Sequence, residues 1–153
     1  MSGEKSLDNL QIWRKSIDFA KRVNSEIIPI LPDEEKWALT QQLRRASQSI
    51  SANIAEGYGR FYFQETIRFC YIARGSLEET YSFLTLAQKC DYLPEKLYQS
   101  FVADTQELHR MLNGYIAFLK RSKPGKNEPG NKYSVRDEFL DYEENFDSDV
   151  PDS

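Results

Sequence analysis

One histidine, His109, is all the chain offers for imidazole chemistry near neutral pH. A di-iron centre in a helical bundle needs inward carboxylates and a Glu-x-x-His pair on each of two helices, whereas His109 stands alone with Gln106 three positions before it. A zinc centre built on histidines fails for the same reason, and a Ser/His/Asp triad would have to use His109. His109 is therefore expected to be an ordinary surface or boundary side chain. Cys70 and Cys90, twenty positions apart in helical patterns, match neither metal-ligand spacing nor a disulfide framework. Gly57-Tyr58-Gly59-Arg60 has no strand before it and lacks the G-x-x-x-x-G-K-[ST] pattern, so it reads as a helix cap and tight turn. Glu78 and Glu79 are adjacent on a helix and point apart. They are expected to be solvated or paired with Arg74 or Arg68. The sequence thus predicts no catalytic residue, no metal, no cofactor and no small-molecule substrate.

What it does supply is surface character. Arg44, Arg45, Arg60, Arg68 and Arg74 are five arginines with few acids among them. Planar guanidinium groups pair bidentately with oxyanions, so this set suits phosphate binding, and it suits salt bridges between helices or subunits as well. Of the 20 aromatic residues, Tyr58, Phe61, Tyr62 and Phe63 crowd a single connection. They would serve a protein interface, or cap the core if that connection folds over the bundle end. Ser47, Ser49, Ser51 and Ala52 form a small-residue stretch that lets backbones approach closely. Asn53 and Glu56, three apart, are expected to bind backbone groups or each other as structural stitching, beside Gly57 and Gly59.

The elements that carry these residues follow from apolar spacing. From about Asp8 to Pro29, Leu10, Trp13, Ile17, Ala20, Val23 and Ile27 line one helical face. Ile28-Pro29 and Leu31-Pro32 stop that helix. Asp33-Glu34-Glu35 opens a second, in which Trp37, Leu39, Leu43, Ala46, Ile50 and Ile54 lead to Gly57-Tyr58-Gly59, where two glycines would permit left-handed backbone angles. A third begins near Gln64, with Ile67, Cys70, Leu77, Tyr81 and Leu84 on its stripe, and breaks at Asp91 to Pro94. Pro94-Glu95 starts a fourth, carried by Leu97, Phe101, Leu108, Leu112, Tyr115 and Leu119 to about Arg121. Short links between long helices predict an all-α, antiparallel up-down-up-down four-helix bundle.

The net charge of −4 is unevenly spread. Residues 1–123 carry 17 Lys+Arg against 15 Asp+Glu, and residues 124–153 carry 3 against 9. Two units follow: a bundle over 1–123, and a Pro/Gly linker with an acidic, disordered tail over 124–153. No stretch reaches the roughly 20 apolar residues of a membrane span, and Met1 to Asn9 is too polar for a signal peptide. A cytoplasmic protein without membrane contact is expected.

Four runs together carry a resemblance: Leu10-Gln11-Ile12-Trp13-Arg14-Lys15-Ser16, Leu39-Thr40-Gln41-Gln42-Leu43-Arg44-Arg45-Ala46, Ser49-Ile50-Ser51-Ala52-Asn53-Ile54-Ala55-Glu56-Gly57-Tyr58-Gly59-Arg60, and Ile72-Ala73-Arg74-Gly75-Ser76-Leu77-Glu78-Glu79. Over about Leu7 to Leu119 the chain resembles the four-helix bundle family of proteins encoded in 23S ribosomal RNA intervening sequences. That family includes the accessory variability proteins of diversity-generating retroelements, which form barrel-like homopentamers and bind a reverse transcriptase and RNA. The resemblance implies a homopentamer here, with RNA or DNA and a reverse transcriptase as partners and Arg44, Arg45, Arg60 and Arg74 as contact residues. Ser51 departs from the family's usual proline before Ala-Asn-Ile, and the acidic tail is not part of the shared core. The function expected is a non-catalytic oligomeric scaffold for nucleic acid or a nucleic-acid enzyme. The alternative is a protein-protein interaction module with no nucleic-acid role.

Overall fold

The computed structural model describes residues 6–122; the linker and acidic tail expected over 124–153 lie outside them. Four helices form, α1 (Gln11–Arg22), α2 (Leu39–Tyr58), α3 (Phe63–Lys89) and α4 (Glu95–Arg121). Each packs on the next and α1 closes on α4, giving the antiparallel up-down-up-down bundle.

The buried face of α1 is Ile12, Ser16 and Phe19, continued by Val23 and Ile27 in a wider π-type turn over Val23–Ile27. Ile17, expected on this face, is 40% exposed. The true stripe runs through a polar residue, and burial is tolerated because the Ser16 hydroxyl donates to the Trp13 carbonyl at 2.7 Å. The second helix does not open at Asp33. Asp33–Glu35 is a separate 3-10 turn, Ala38 breaks the backbone, and α2 starts at Leu39, whose amide donates to the Glu35 carboxylate at 3.3 Å. Trp37 falls in that break and is 77% exposed rather than in the core.

At Ser51 α2 runs on unbroken, with the hydroxyl donating to the Gln48 carbonyl at 3.3 Å. Its end differs from the expected left-handed cap. Gly57 lies inside the helix, and a Cβ there would stand 2.8 Å from Phe69 Cβ and 3.1 Å from the Thr66 carbonyl. This glycine serves the close approach of α3. Gly59 has φ −77°, and a Cβ there would stand in ordinary contact, 3.8 Å from the Ala55 and Glu56 carbonyls, so neither glycine is needed for its backbone angle. Thr66 donates to the Gly57 carbonyl at 2.9 Å, and Ser76 to Ser49 at 2.9 Å, so the small-residue stretch serves α2–α3 packing within the chain.

On α3 the buried residues are Thr66, Ile67, Cys70, Ala73, Ser76, Leu77, Thr80, Leu84 and Ala87, while Tyr81 and Ile72 lie outside the core. The helix ends with Asp91 at φ 61°, the Asp91 amide donating to Gln88 and the Tyr92 amide to Ala87, the bond pair of a Schellman cap. Pro94 precedes α4 as its cap residue rather than forming its first turn. The core divides in two. A large cluster joins all four helices, and a small one of Ile67, Cys70, Ile116 and Leu119 lies between α3 and α4, covered by Phe63, Tyr71 and Tyr115.

Candidate functional site

Antiparallel packing brings the C-terminal ends of α2 and α4 and the N-terminal half of α3 to one end of the bundle. Residues 56–74 and 112–121 there carry five cations, Arg60, Arg68, Arg74, Lys120 and Arg121, against two acids, Glu56 and Glu65. The Arg60 and Arg68 guanidiniums lie 5.0 and 5.2 Å from the centre of one ring, Phe69. Arg74 and Lys120 stand 5.5 and 6.0 Å from Tyr71. Two aromatic rings thus each gather two cations. Arg60 also pairs with Glu56.

Exposed rings stand among these cations. Phe61 is 87% exposed and meets Tyr62 edge-on at 5.0 Å; Phe118 is 59% exposed and stacks on Tyr115 at 6.5 Å. Within the crowded connection Phe63 covers the small core, as the capping use expects, while Phe61 projects outward. Helix C-termini favour cations, which accounts for Arg60, Lys120 and Arg121 by themselves. It does not account for large apolar rings left in water beside them.

The five predicted arginines do not make one patch. Arg44 and Arg45 sit about 24 Å along α2 from Arg60, by helical rise. They are exposed, border an open groove of about 520 Å³ and share it with Lys36, Trp37 and Gln48. Residues 36–55 hold Lys36, Arg44 and Arg45 and no acid. Arg74 stays with the basic end through Tyr71 and marks its inner edge on the α3–α4 seam, where it donates to Asn113 Oδ1 at 3.1 Å. Asn113 in turn meets His109 Nδ1 at 3.2 Å, and His109 Nε2 meets Glu78 at 2.9 Å. Glu78 thus takes His109 rather than an arginine; Nε2 of His109 ties α4 to α3, while Nδ1 meets Asn113 on its own helix. Asn53 donates to the Ser49 carbonyl at 2.8 Å and its hydroxyl at 2.9 Å, while Glu56 turns to Arg60, so these two residues stitch separately.

Sequence spacing held no sign of the α1–α4 clamp. Lys15 bonds Asp104 and Glu107, and Arg22 bonds Asp104, Glu26 and Ser100 while lying 4.3 Å from the centre of the Phe101 ring. The pairs that join α1 to α4 lie more than 75 positions apart, and only their charge complementarity was visible. Beneath the basic end, burial pushes the Cys70 thiol up to about 12. Burial, with smaller effects of Cys70 and Tyr58, does the same to the Tyr115 phenol, also to about 12. Cys70 is a neutral packing group there, and Cys90 is the exposed thiol.

The family model for 23S rRNA-intervening sequence proteins matches residues 8–114, spanning all of α1 to α3 and most of α4. The chain belongs to that family. The fold is also similar to that of a protein of unknown function from the S23 ribosomal protein family of Bacteroides thetaiotaomicron. The two share 28% identity with a TM-score of 0.64, over 69% of this chain and 97% of that one. No curated protein matches. The family match stops short of Lys120 and Arg121, so those two cations of the basic end lie beyond the matched core. No helix among the described residues is long and apolar enough to cross a membrane.

Proposed function

We propose that this protein is a non-catalytic oligomeric scaffold that binds single-stranded stretches of nucleic acid at the basic, aromatic end of its bundle. The observation that carries this reading is the mixing of Arg60, Arg68, Arg74, Lys120 and Arg121 with the exposed rings of Phe61 and Phe118. Cations in that setting attract the phosphate backbone, and open rings stack bases without regard to sequence. On this reading the scaffold is a cytoplasmic homopentamer whose partner is a nucleic-acid enzyme such as a reverse transcriptase, as the sequence resemblance implies. The test is fluorescence anisotropy with a labelled oligouridine. Four neutralised phosphates would weaken binding about 50-fold between about 50 and 200 mM salt. Arg60→Ala with Arg68→Ala should lower both affinity and salt slope, and a salt-independent isotherm would remove the reading.

A second reading, a protein-interaction module, is favoured by the groove on α2. Trp and Arg are the residue types that dominate protein interfaces, and Trp37, Arg44 and Arg45 border it together. On that reading, replacing Arg44 and Arg45 by Ala dissociates the assembly in native mass spectrometry. An intact oligomer that has lost oligonucleotide binding would reject it.

A further inference from the structure

The last residue of α4, Arg121, lies within the basic end, one position past Lys120 on the Tyr71 ring. The chain therefore leaves the bundle beside Arg74 and Tyr71. Residues 137–152 then supply eight acids and no base, with Phe139, Tyr142 and Phe146 spaced three and four apart among them. Acid interleaved with aromatic is the complement of cation interleaved with aromatic. We infer that this segment docks on the basic, aromatic end of its own bundle, as an internal stand-in for nucleic acid.

Reach permits it. Fourteen residues lie between Ser122 and Asp137, and the fifteen steps at about 3.3–3.6 Å each span up to about 50 Å, more than the roughly 40 Å length of α4. The segment can therefore touch either end, and charge decides between them. At the opposite end residues 26–38 and 85–97 carry Glu26, Asp33, Glu34, Glu35, Asp91 and Glu95 against Lys36, Lys89 and Lys96, which repels a polyanion within a Debye length of about 10 Å. Tethering raises the local concentration of the segment to the millimolar range, so even weak docking occupies the surface most of the time.

The consequence for nucleic acid rests on the function proposed above; the docking itself does not. Both are read separately in the full-length chain. A zero-length carbodiimide reagent joins lysine amines to carboxylates in contact, and Arg68→Lys adds an amine on the surface without changing its charge. At low salt, carboxylates of 137–152 should couple to Lys120 and to that added amine, but not to Lys36, Lys89 or Lys96. The products should vanish at about 0.5 M salt. Coupling at both ends alike, or at neither, overturns the docking.

In a second arm the tail acids become Asn and Gln in place. If docking closes the surface about nine times in ten, oligouridine affinity at low salt should rise about tenfold. Unchanged affinity, with cross-links present in the native chain, overturns the role as a competitor. Cross-links present while neither form binds oligouridine would leave docking standing and remove the proposed function instead.

Discussion

Where the α1–α2 and α3–α4 connections meet, all four helices are present and the core reaches into the loops; at the other end α1 has already stopped. At the first, Leu31 and Leu93 are buried in the connections and the Tyr92 hydroxyl donates to Glu35 at 3.2 Å, tying one loop to the other. Between the ends, the register of α1 on α4 is set by Lys15 on Glu107 and Arg22 on Ser100, seven apart on each antiparallel helix. That register puts Gln11 level with Met111, so Asn113 to Arg121 run on past α1. The small α3–α4 cluster lies there, under rings that no fourth helix among the described residues shelters. One end is closed by its own chain and acidic. Among the described residues the other is open, basic and aromatic, which is the arrangement a contact surface needs.

Truncating the two cores tests this difference most severely. Phe101 is fully buried in the four-helix cluster and packs edge-on against Phe19 at 5.9 Å. Phe101→Ala should cost about 3–5 kcal/mol. Ile116 belongs to the small cluster, where one side is free to relax, so Ile116→Ala should lie at the low end of about 2–5 kcal/mol. Urea denaturation midpoints measure both, and equal losses would show that the two clusters behave as one core.

Three glycines offer a finer comparison. Adding a methyl at Gly57 forces Phe69 and the Thr66 carbonyl to move, and Gly57→Ala should destabilise by about 1–3 kcal/mol. Since Phe69 also carries Arg60 and Arg68, the same change should weaken oligouridine binding. Gly75 and Gly114 lie in helix interiors, and a methyl added at either would meet nothing within 4 Å. Gly75→Ala and Gly114→Ala should each stabilise by about 0.5–1 kcal/mol. A stabilised monomer that no longer assembles would show that a second chain approaches those positions.

How far the sequence disclosed this molecule depends on the kind of signal. Prolines 29, 32 and 94 and the apolar periodicity located four helices, because both act within a few residues. The inner face of α1 was misplaced by one position, because Ser16 is buried through a bond to its own helix and looks polar from sequence. Trp37 was misassigned because the acids before it resembled a helix start, while Ala38 interrupts the backbone. The arginines were legible as residues and not as places: Arg44 and Arg60 differ only in helical distance, and Arg60 and Arg68 meet on Phe69 because of a turn. The Arg22–Asp104 pairing required the whole fold.

Alkaline titration separates the ends again. Cys70 and Tyr115 lie beneath the open end, and both release their protons less readily when folded. Between the ordinary thiol value of 9.0 and the buried value of about 12, the folded state holds a proton that the unfolded chain has lost. Stability is therefore complete below about pH 9 and falls as pH rises, by up to about 1.4 kcal/mol per pH unit for each group. Thermal unfolding at about pH 8 and about pH 10 should show a loss of about 1–2 kcal/mol, reduced in Cys70→Ala once its own cavity cost is subtracted. A slope identical in the two proteins would contradict a buried neutral thiol.

The smallest expected effect lies at the closed end. Asp91 takes φ 61°, a left-handed angle that a Cβ disfavours and glycine accepts freely, and two backbone bonds from Asp91 and Tyr92 hold it there. Asp91→Gly relieves that strain but adds freedom to the unfolded chain, and the relief outweighs the added freedom where φ is positive. It also removes one acid from an end where acids outnumber bases. The variant should gain about 0.5–1 kcal/mol, seen as a higher urea midpoint with unchanged slope, and oligouridine affinity should stay the same. A change in binding from this position, at the far end from Phe69, would mean that the open and closed ends are energetically coupled rather than separately built.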